Sequence, residues 1–355
     1  MSLRVLVLFN QPVLPKDHPD YSSEADILYS VQVVRTSLKN VGISSSEFGV
    51  TDNIADLIAH LNENRPDVVF NLYEGPADNS VTEVYLAGLL EWLGIPFTGC
   101  PSLALSLARN KALAKQIFQG AGVPTAPFVL LNPEDAIPKN PLGWPTIVKP
   151  AAEDASVGIE QDSVVQSNEQ LRARIQFLRE NYGGSVLLEK YIAGRELHIS
   201  VVDITGTNEL VPLPFGEVAF QKVDDGTLWP IYSYTAKWNE LSEEYRRAVI
   251  VVGAAVSKDV EKRLHAVADA AFRAIGCRDY ARVDTRVTED GEIFVLEVNP
   301  NPSIYSVLID SGLPAIGTSY DDFIHALVKN AIARGKEPRT GARRVRDAVP
   351  VPDAA

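Results

Sequence analysis

The stretch Cys277-Arg278-Asp279-Tyr280-Ala281-Arg282-Val283-Asp284-Thr285-Arg286-Val287-Thr288-Glu289-Asp290-Gly291-Glu292-Ile293-Phe294-Val295-Leu296-Glu297-Val298-Asn299-Pro300-Asn301-Pro302 decides the fold. Two runs rich in Val, Ile and Phe flank Asp290-Gly291, a dipeptide that supplies the positive φ angles of a two-residue type I′ turn, so the stretch reads as a β-hairpin. With Asp290 and Gly291 as the loop, Asp284 faces Glu297 and Arg282 faces Asn299. Side chains alternate across a strand. Arg282, Asp284, Glu297 and Asn299 therefore share one face, and Val283, Thr285 and Val287 share the other with Phe294, Leu296 and Val298.

Directly opposed carboxylates have Cβ atoms roughly 5 Å apart and destabilise a sheet by up to about 1 kcal/mol unless something neutralises them. A hard cation does so. Mg²⁺ prefers carboxylate and amide oxygens and keeps positions open for phosphate, and Asp284, Glu297 and Asn299 offer that set. The pair alone also suits an ordinary solvated acidic face. Asn299 as a third oxygen donor favours the metal, as does the exit Asn299-Pro300-Asn301-Pro302, where proline lacks the N–H to continue a ladder.

Asp284-x12-Glu297-x-Asn299, preceded by Tyr280-Ala281-Arg282-Val283, resembles the metal hairpin of the ATP-grasp superfamily, nearest to its D-alanine–D-alanine ligase branch. The resemblance implies an ATP-grasp fold of mixed α/β and α+β class. An N-terminal doubly wound parallel-sheet domain (pre-ATP-grasp) would occupy residues 1–100, a central lobe 101–192, and a C-terminal lobe with the hairpin 193–334. The tail 335–355, with its Arg cluster, reads as disordered.

Composition agrees with a multidomain globular enzyme. The chain has 355 residues, 46% of them hydrophobic, and a net charge of −13. So acidic a chain argues against nucleic-acid binding, which needs clustered Lys and Arg. The two cysteines, Cys100 and Cys277, are too few for a disulfide scaffold. No apolar run approaches the roughly 18 residues of a membrane span, and no signal-peptide pattern opens the chain, so a cytoplasmic location without membrane attachment is expected.

The first hundred residues alternate strand and helix. An apolar run at 3–9 reads as a buried parallel strand. A helix then starts at Ser22 or Ser23 and carries Ile27, Val31, Val34, Leu38 and Val41 at helical spacing up to Gly42. A helix at 53–62, a strand at 67–71, a helix at 81–93 and a strand at 95–98 continue the pattern, which implies a parallel sheet with helices on its faces. Glu24 opens the first helix beside the ligand end of such a sheet. By charge alone it is a helix-dipole partner; by the resemblance it holds the first substrate's ammonium.

A helix at 101–120 carries Lys111, which the resemblance places on nucleotide phosphate. Trp144-Pro145-Thr146-Ile147-Val148-Lys149-Pro150 is a strand with one lysine in an apolar setting, and such a lysine needs an anion. The loop Glu153-Asp154-Ala155-Ser156-Val157-Gly158-Ile159 brings backbone N–H groups within reach of phosphate. It lacks one Gly and one Ser of the Gly-Ser-Ser-Val-Gly loop usual in the family, and Ser156 is its catalytic candidate. Glu189-Lys190-Tyr191-Ile192-Ala193-Gly194-Arg195-Glu196 matches the family's segment joining the two ATP-clamping lobes. There Glu189, Lys190 and Ile192 would meet adenine and Glu196 the ribose. Residues 216–240 read as a long irregular stretch of functional kind, from which the resemblance sends Lys237 to the γ-phosphate.

What the resemblance implies is joining of a carboxylate to an amine, with ATP and Mg²⁺ (or Mn²⁺) as cofactors, through an acyl phosphate. Arg282 would stabilise the oxyanion when the amine attacks. Amino-acid-like substrates and a homodimer follow from the resemblance alone. The segment Asn299-Pro300-Asn301-Pro302-Ser303-Ile304-Tyr305-Ser306 lacks the family's Gly and a clear Ser-Leu pair, and Asn71-Leu72-Tyr73-Glu74-Gly75 replaces its His-Gly and Gly-Glu-Asp elements. Substrate identity is therefore open. Two other readings stand beside this one: an inactive nucleotide-binding regulator of the same fold, and an enzyme phosphorylating an acceptor other than an amine.

Overall fold

The computed structural model describes residues 3–13, 21–76, 79–153, 156–207, 209–221 and 228–336, the side chains of 21–25 and 307–308 excepted. Its N-terminal part runs β1 (Val5–Asn10), α1 (Tyr21–Asn40), β2 (Ser45–Val50), α2 (Ile54–Glu63), β3 (Val68–Asn71) and α3 (Thr82–Leu93). The strands form a parallel sheet in the order β2-β1-β3. Alternation along β1 fills two cores. Leu6 and Leu8 pack with Leu57, Leu61, Leu86 and Leu90 on one side, and Val5, Val7 and Phe9 pack with Val31, Val34 and Leu38 on the other. The strand expected at 95–98 reduces to a single parallel bridge, Val69 to Phe97. The edge strand β2 was not expected, because Ser-Ser-Glu-Phe-Gly-Val shows no apolar run.

The helix expected over 101–120 is two helices, α4 (Ser102–Arg109) and α5 (Lys111–Gly120). Asn110 between them is extended, and its side-chain oxygen accepts from the Leu113 N–H at 3.0 Å. An Asn that caps the second helix cannot continue the first, so Lys111 becomes the opening residue of α5.

Next in the chain come β4 (Phe128–Leu131), β5 (Thr146–Pro150), β6 (Val164–Val165), α6 (Asn168–Asn181) and β7 (Val186–Lys190). These strands form an antiparallel sheet in the order β4-β7-β5-β6. Leu171, Ile175 and Leu178 of α6 cover one face, against Val148, Val186 and Leu188. Alternation sends Lys149 and Glu189 to the opposite face.

There follow β8 (Arg195–Val202), β9 (Val211–Pro212), β10 (Gly216–Phe220), α7 (Tyr234–Trp238), α8 (Glu243–Arg247), β11 (Ala248–Val252), α9 (Lys258–Ile275), β12 (Tyr280–Val287) and β13 (Ile293–Asn299). Their sheet runs β11-β10-β8-β12-β13, with β9 paired to β8. The stretch expected to be irregular over 216–240 thus contains a ladder strand and a short helix, and its residues 222–227 lie outside the described ones. Leu264, Ala268 and Phe272 of α9 cover the back of the hairpin. After α10 (Val307–Gly312), α11 (Tyr320–Lys336) returns to the N-terminal sheet, where Phe323, Ile324 and Leu327 join the core of Val5 and Val7. The tail expected to be disordered from 335 begins later, since Gly335 and Lys336 still belong to α11, and from residue 337 it lies outside the described residues. Among the described residues no helix is long and apolar enough to cross a membrane.

The hairpin's turn differs from the expectation and its site does not. Gly291 N donates to Thr288 O at 3.0 Å, and Thr288 N to Glu292 O at 2.9 Å. The loop therefore holds three residues rather than two, with Gly291 in the left-handed region at φ 85°, a turn followed by a glycine bulge. That shifts the pairing by one, so Thr285 faces Val295. A β-bulge then leaves Leu296 unpaired, and Asp284 faces Glu297 while Arg282 faces Asn299. Two offsets of opposite sense cancel at the site. Between loop and bulge the faces exchange, so Ile293 and Val295, not Phe294 and Leu296, join Val298, Val283 and Val287 in the core.

Candidate active site

On the open face of β12 and β13 each carboxylate already has a cation. Arg282 grips Asp284 bidentately, Nε to Oδ1 at 2.8 Å and Nη2 to Oδ2 at 2.9 Å, and Asn299 Nδ2 donates to Oδ2 at 3.0 Å. Lys111 Nζ lies 3.1 Å from Glu297 Oε2. Lys111 chiefly, against burial, holds the Glu297 carboxyl well below the usual carboxylate range. Burial opposes charge on Arg282, but Asp284 more than compensates and raises its pKa. Two carboxylates and one amide supply only oxygen donors, an incomplete shell of the kind Mg²⁺ fills out with water and phosphate. Among the described residues no group of three or more His, Cys, Asp and Glu comes together that could hold a metal. Asp284, Glu297 and Asn299 are brought together, and they fit a hard cation that shares its shell with a ligand.

Lys149 does have an anion, and the protein supplies it. Glu189 is 1% exposed, with Lys115 Nζ 2.7 Å from Oε1 and Lys149 Nζ 2.8 Å from Oε2. Burial would raise this carboxyl, and the two ammonium groups lower it instead. Lys115, fully buried, also donates to Thr125 Oγ1 at 2.8 Å, and Thr125 donates to Val295 O of β13. Sequence reading missed Lys115. The available signal was its place one helical turn after Lys111, on the same side of α5.

Glu196 lies at the far end of the site. Arg286 Nη2 donates to its Oε2 at 2.8 Å and to Pro230 O at 2.6 Å, and Arg286 Nη1 donates to Gly194 O at 3.1 Å. Burial raises the Glu196 carboxyl, Arg286 and His198 outweigh it, and the net shift is downward. His198, also missed, presents a buried Nε2 that lies 3.5 Å from Glu196 Oε1 and 3.8 Å from Asp284 Oδ1. Lys190 Nζ donates to Trp144 O at 2.9 Å, and Ile192 is half-buried beside it in the chain.

The loops meet over this face. Ser156 adopts φ 65°, a conformation that favours glycine, and its hydroxyl donates to Tyr232 O at 2.9 Å. Gln161 Oε1 accepts from Trp229 N at 2.7 Å, its Nε2 donates to Glu244 Oε2 at 3.0 Å, and Ser233 donates to the same oxygen. The loop that carries Ser156 is thereby stapled to the segment leading into α7. Lys237 of α7 stacks over Trp238, and its charge acts on Glu74 of the N-terminal part. The side chain of Glu24 lies outside the described residues, as do Asp154 and Ala155.

Arg282, Asp284 and Arg286 alternate along β12 and so share one face, successive side chains about 7 Å apart, while Tyr280 at the start of the strand is buried in the core against Phe323. The order runs from Arg286 and Glu196, through Asp284 with Glu297 and Lys111, to Arg282.

Residues 117–329 match the family model described as D-ala D-ala ligase C-terminus. The chain is 33% identical to a D-alanine–D-alanine ligase of Agrobacterium fabrum over 78% of this chain and 84% of the relative. It is 32% identical to D-alanine–D-alanine ligase B of Chromobacterium violaceum over 85% and 91%. The fold is similar to that of the D-alanine–D-alanine ligase from Bacillus anthracis complexed with ATP, with a TM-score of 0.72 at 20% identity, over 94% of this chain and 99% of that one.

Proposed function

The chain belongs to the D-alanine–D-alanine ligase family of the ATP-grasp superfamily, and from that premise we propose that it joins an amino-acid carboxylate to an amine at the expense of ATP. The observation that carries this reading is the pairing of Asp284 with Glu297, and of Arg282 with Asn299, on one face beside Lys111 and Lys149. D-alanine is the first substrate to test, since relatives of 32–33% identity are D-alanine ligases.

Hydroxide is a poor leaving group, so the carboxylate must first take the γ-phosphoryl of ATP and become an acyl phosphate. That transfer is mainly positioning and charge neutralisation. Glu196, held in place by Arg286, is set to accept hydrogen bonds from ribose hydroxyls. Ile192 and the backbone about Lys190 are set beside adenine. Lys111 and Lys149 are held near the phosphates by Glu297 and Glu189, and Lys237 stands on the opposite wall. Asp284, Glu297 and Asn299 would hold Mg²⁺, which when bound screens charge on the phosphates. Arg282, fixed in plane by Asp284, stabilises the tetrahedral oxyanion formed as the amine attacks. The stapling of the Ser156 loop to residues 229–233 keeps water from the acyl phosphate.

The test is phosphate release from Mg-ATP against a matrix of D- and L-amino acids, singly and in pairs, with Glu297→Gln as the blank. Release confined to particular pairs and absent from the blank supports the reading. Tight nucleotide binding without release for any pair overturns it.

A further inference from the structure

Arg174 has no task in the chemistry above, and its place in the fold is a costly one. Along α6, Leu171, Ile175 and Leu178 form the stripe that covers the sheet, and Arg174 falls on that stripe, only 7% exposed. Its Nη2 donates to Gly158 O and to Ser163 Oγ, both at 2.8 Å. Nε is buried without an acceptor, and the guanidinium lies 4.9 Å from the centre of the Phe177 ring. These neighbours are all uncharged. Lys111, Lys115, Lys149, Arg282 and Arg286 each lie against a carboxylate instead. Burial pushes the Arg174 guanidinium below its usual pKa, against the pull of Asp162, Tyr182 and Glu160. A buried charge without a counter-ion is strongly destabilising, and here the fold leaves that charge for a ligand to balance.

What Arg174 grips is the loop that carries Ser156. Ser156 has φ 65° and Gly158 φ 71°, with Val157 between them at negative φ. Such alternation turns successive N–H groups toward one concave side, a shape that takes anions. Ile159 N is occupied by Ser156 O, whereas the amides of Val157 and Gly158 meet no backbone acceptor among the described residues. A Cβ on Gly158 would lie 2.6 Å from Pro150 Cγ, so the loop is pressed against the end of β5, one residue past Lys149. From the other side Ser156 Oγ donates to Tyr232 O, and Tyr234 N donates to Ile159 O at 2.8 Å. The loop therefore lies over the face that presents Lys149, and Arg174 reaches it from the side of α6.

We propose that Arg174 is a positioning residue for the terminal phosphates of the nucleotide. Its bond to the Gly158 carbonyl fixes the peptide planes so that the Val157 and Gly158 amides face the phosphates, and its uncompensated charge favours their binding there. This rests on the ATP-dependent ligase reading. Adenosine carries no phosphate, and the part of the site assigned to it, around Ile192 and Glu196, does not touch Arg174. The contribution of Arg174 should therefore grow with the number of phosphates on the ligand.

The experiment measures binding of adenosine, AMP, Mg-ADP and Mg-ATP by calorimetry to wild type, Arg174→Lys and Arg174→Met. Arg174→Met should lose about tenfold or more for Mg-ATP, less for AMP, and under about twofold for adenosine. Arg174→Lys keeps the charge and should stay within about threefold of wild type for Mg-ATP. Equal loss for adenosine and Mg-ATP would make Arg174 a support of the fold alone and overturn the proposal, as would unchanged binding of every ligand. Loss of Mg-ATP binding as large in Arg174→Lys as in Arg174→Met overturns the role of charge. If Arg174→Met fails to fold, Arg174→Gln replaces it with the same expectations, and melting temperatures identify the folded variants. A wild type that binds adenosine but not Mg-ATP overturns the ligase reading itself, and this one with it.

Discussion

The buried triad of Lys115, Glu189 and Lys149 invites a direct test, because its charges do not balance. Two ammonium groups flank one carboxylate at 2.7 and 2.8 Å, with Lys115 fully buried. Lys115→Met keeps the volume and leaves a neutral Glu189–Lys149 pair. It forfeits charged hydrogen bonds to Glu189 and Thr125, each worth roughly 1.5–3 kcal/mol, but it also removes a buried charge whose desolvation is costly. The net loss should be about 1–2 kcal/mol. Glu189→Gln instead strands two ammonium groups and should cost about 3–5 kcal/mol. The double variant strands only Lys149 and should fall between them. Urea unfolding followed by circular dichroism at pH 7.5 reads the three values, provided the slope is unchanged. If Lys115→Met proves as damaging as Glu189→Gln, or the double variant is no better than the latter, the charge-balance reasoning is wrong.

Arg286→Met leaves Glu196 with His198 as its remaining neighbour. It should weaken Mg-ADP binding at least tenfold in calorimetry, whereas Arg286→Lys should lose less. Glu189 and Glu196 both have carboxyls lowered in the fold. Their contribution is present above the unfolded value near 4.3 and is lost as pH falls below it, so an acid titration of stability should decline from about pH 4.5 downward, less steeply in Glu196→Gln. Deleting Leu296 removes the bulge while Thr285 still meets Val295 and Asp284 still meets Glu297. The deletion should fold with a melting point lower by only a few degrees, and a chain that fails to fold would falsify the register account.

How much of this was legible in the sequence can be followed residue by residue. Asp284, Glu297, Arg282 and Asn299 were placed on one face by period-two alternation, and that face exists. The argument nevertheless passed through a turn of the wrong length, rescued by a bulge at Leu296 that no local pattern announces. Alternation is robust over three or four residues, and loop length and bulges are decided by contacts elsewhere, here by the packing of Ile293 and Val295 against α9. Lys149 was read as a lysine in need of an anion, which was sound, but the partner lay 40 residues away in Glu189, and Lys115 joined them from another element. Long-range pairing of that kind leaves no periodic trace. Asn110 shows the opposite case: a cap residue in mid-helix was visible, and its power to split 101–120 was underused.

The latch at Asp279 explains how parts of the chain built on different sheets stay in register. Asp279 is 1% exposed and adopts φ 65°. Its carboxylate accepts from Gly99 N at 2.8 Å and from both terminal nitrogens of Arg334. One residue before Tyr280, it therefore joins the start of β12 to the end of the N-terminal part and to α11. Because α11 packs on the N-terminal sheet, Asp279 ties the start of β12, three residues before Arg282, to that sheet through side chains. Asp279→Asn replaces one acceptor oxygen by an NH2 that faces a donor, so at least one of the three hydrogen bonds is lost and those left to Arg334 lose their charge assistance, at about 2–4 kcal/mol. If the latch holds Arg282 in place against the N-terminal part, the variant, at temperatures where it remains folded, should lose at least tenfold in kcat for phosphate release while its Mg-ADP binding stays unchanged. A variant with a lower melting temperature and an unchanged kcat would show the latch to serve stability alone.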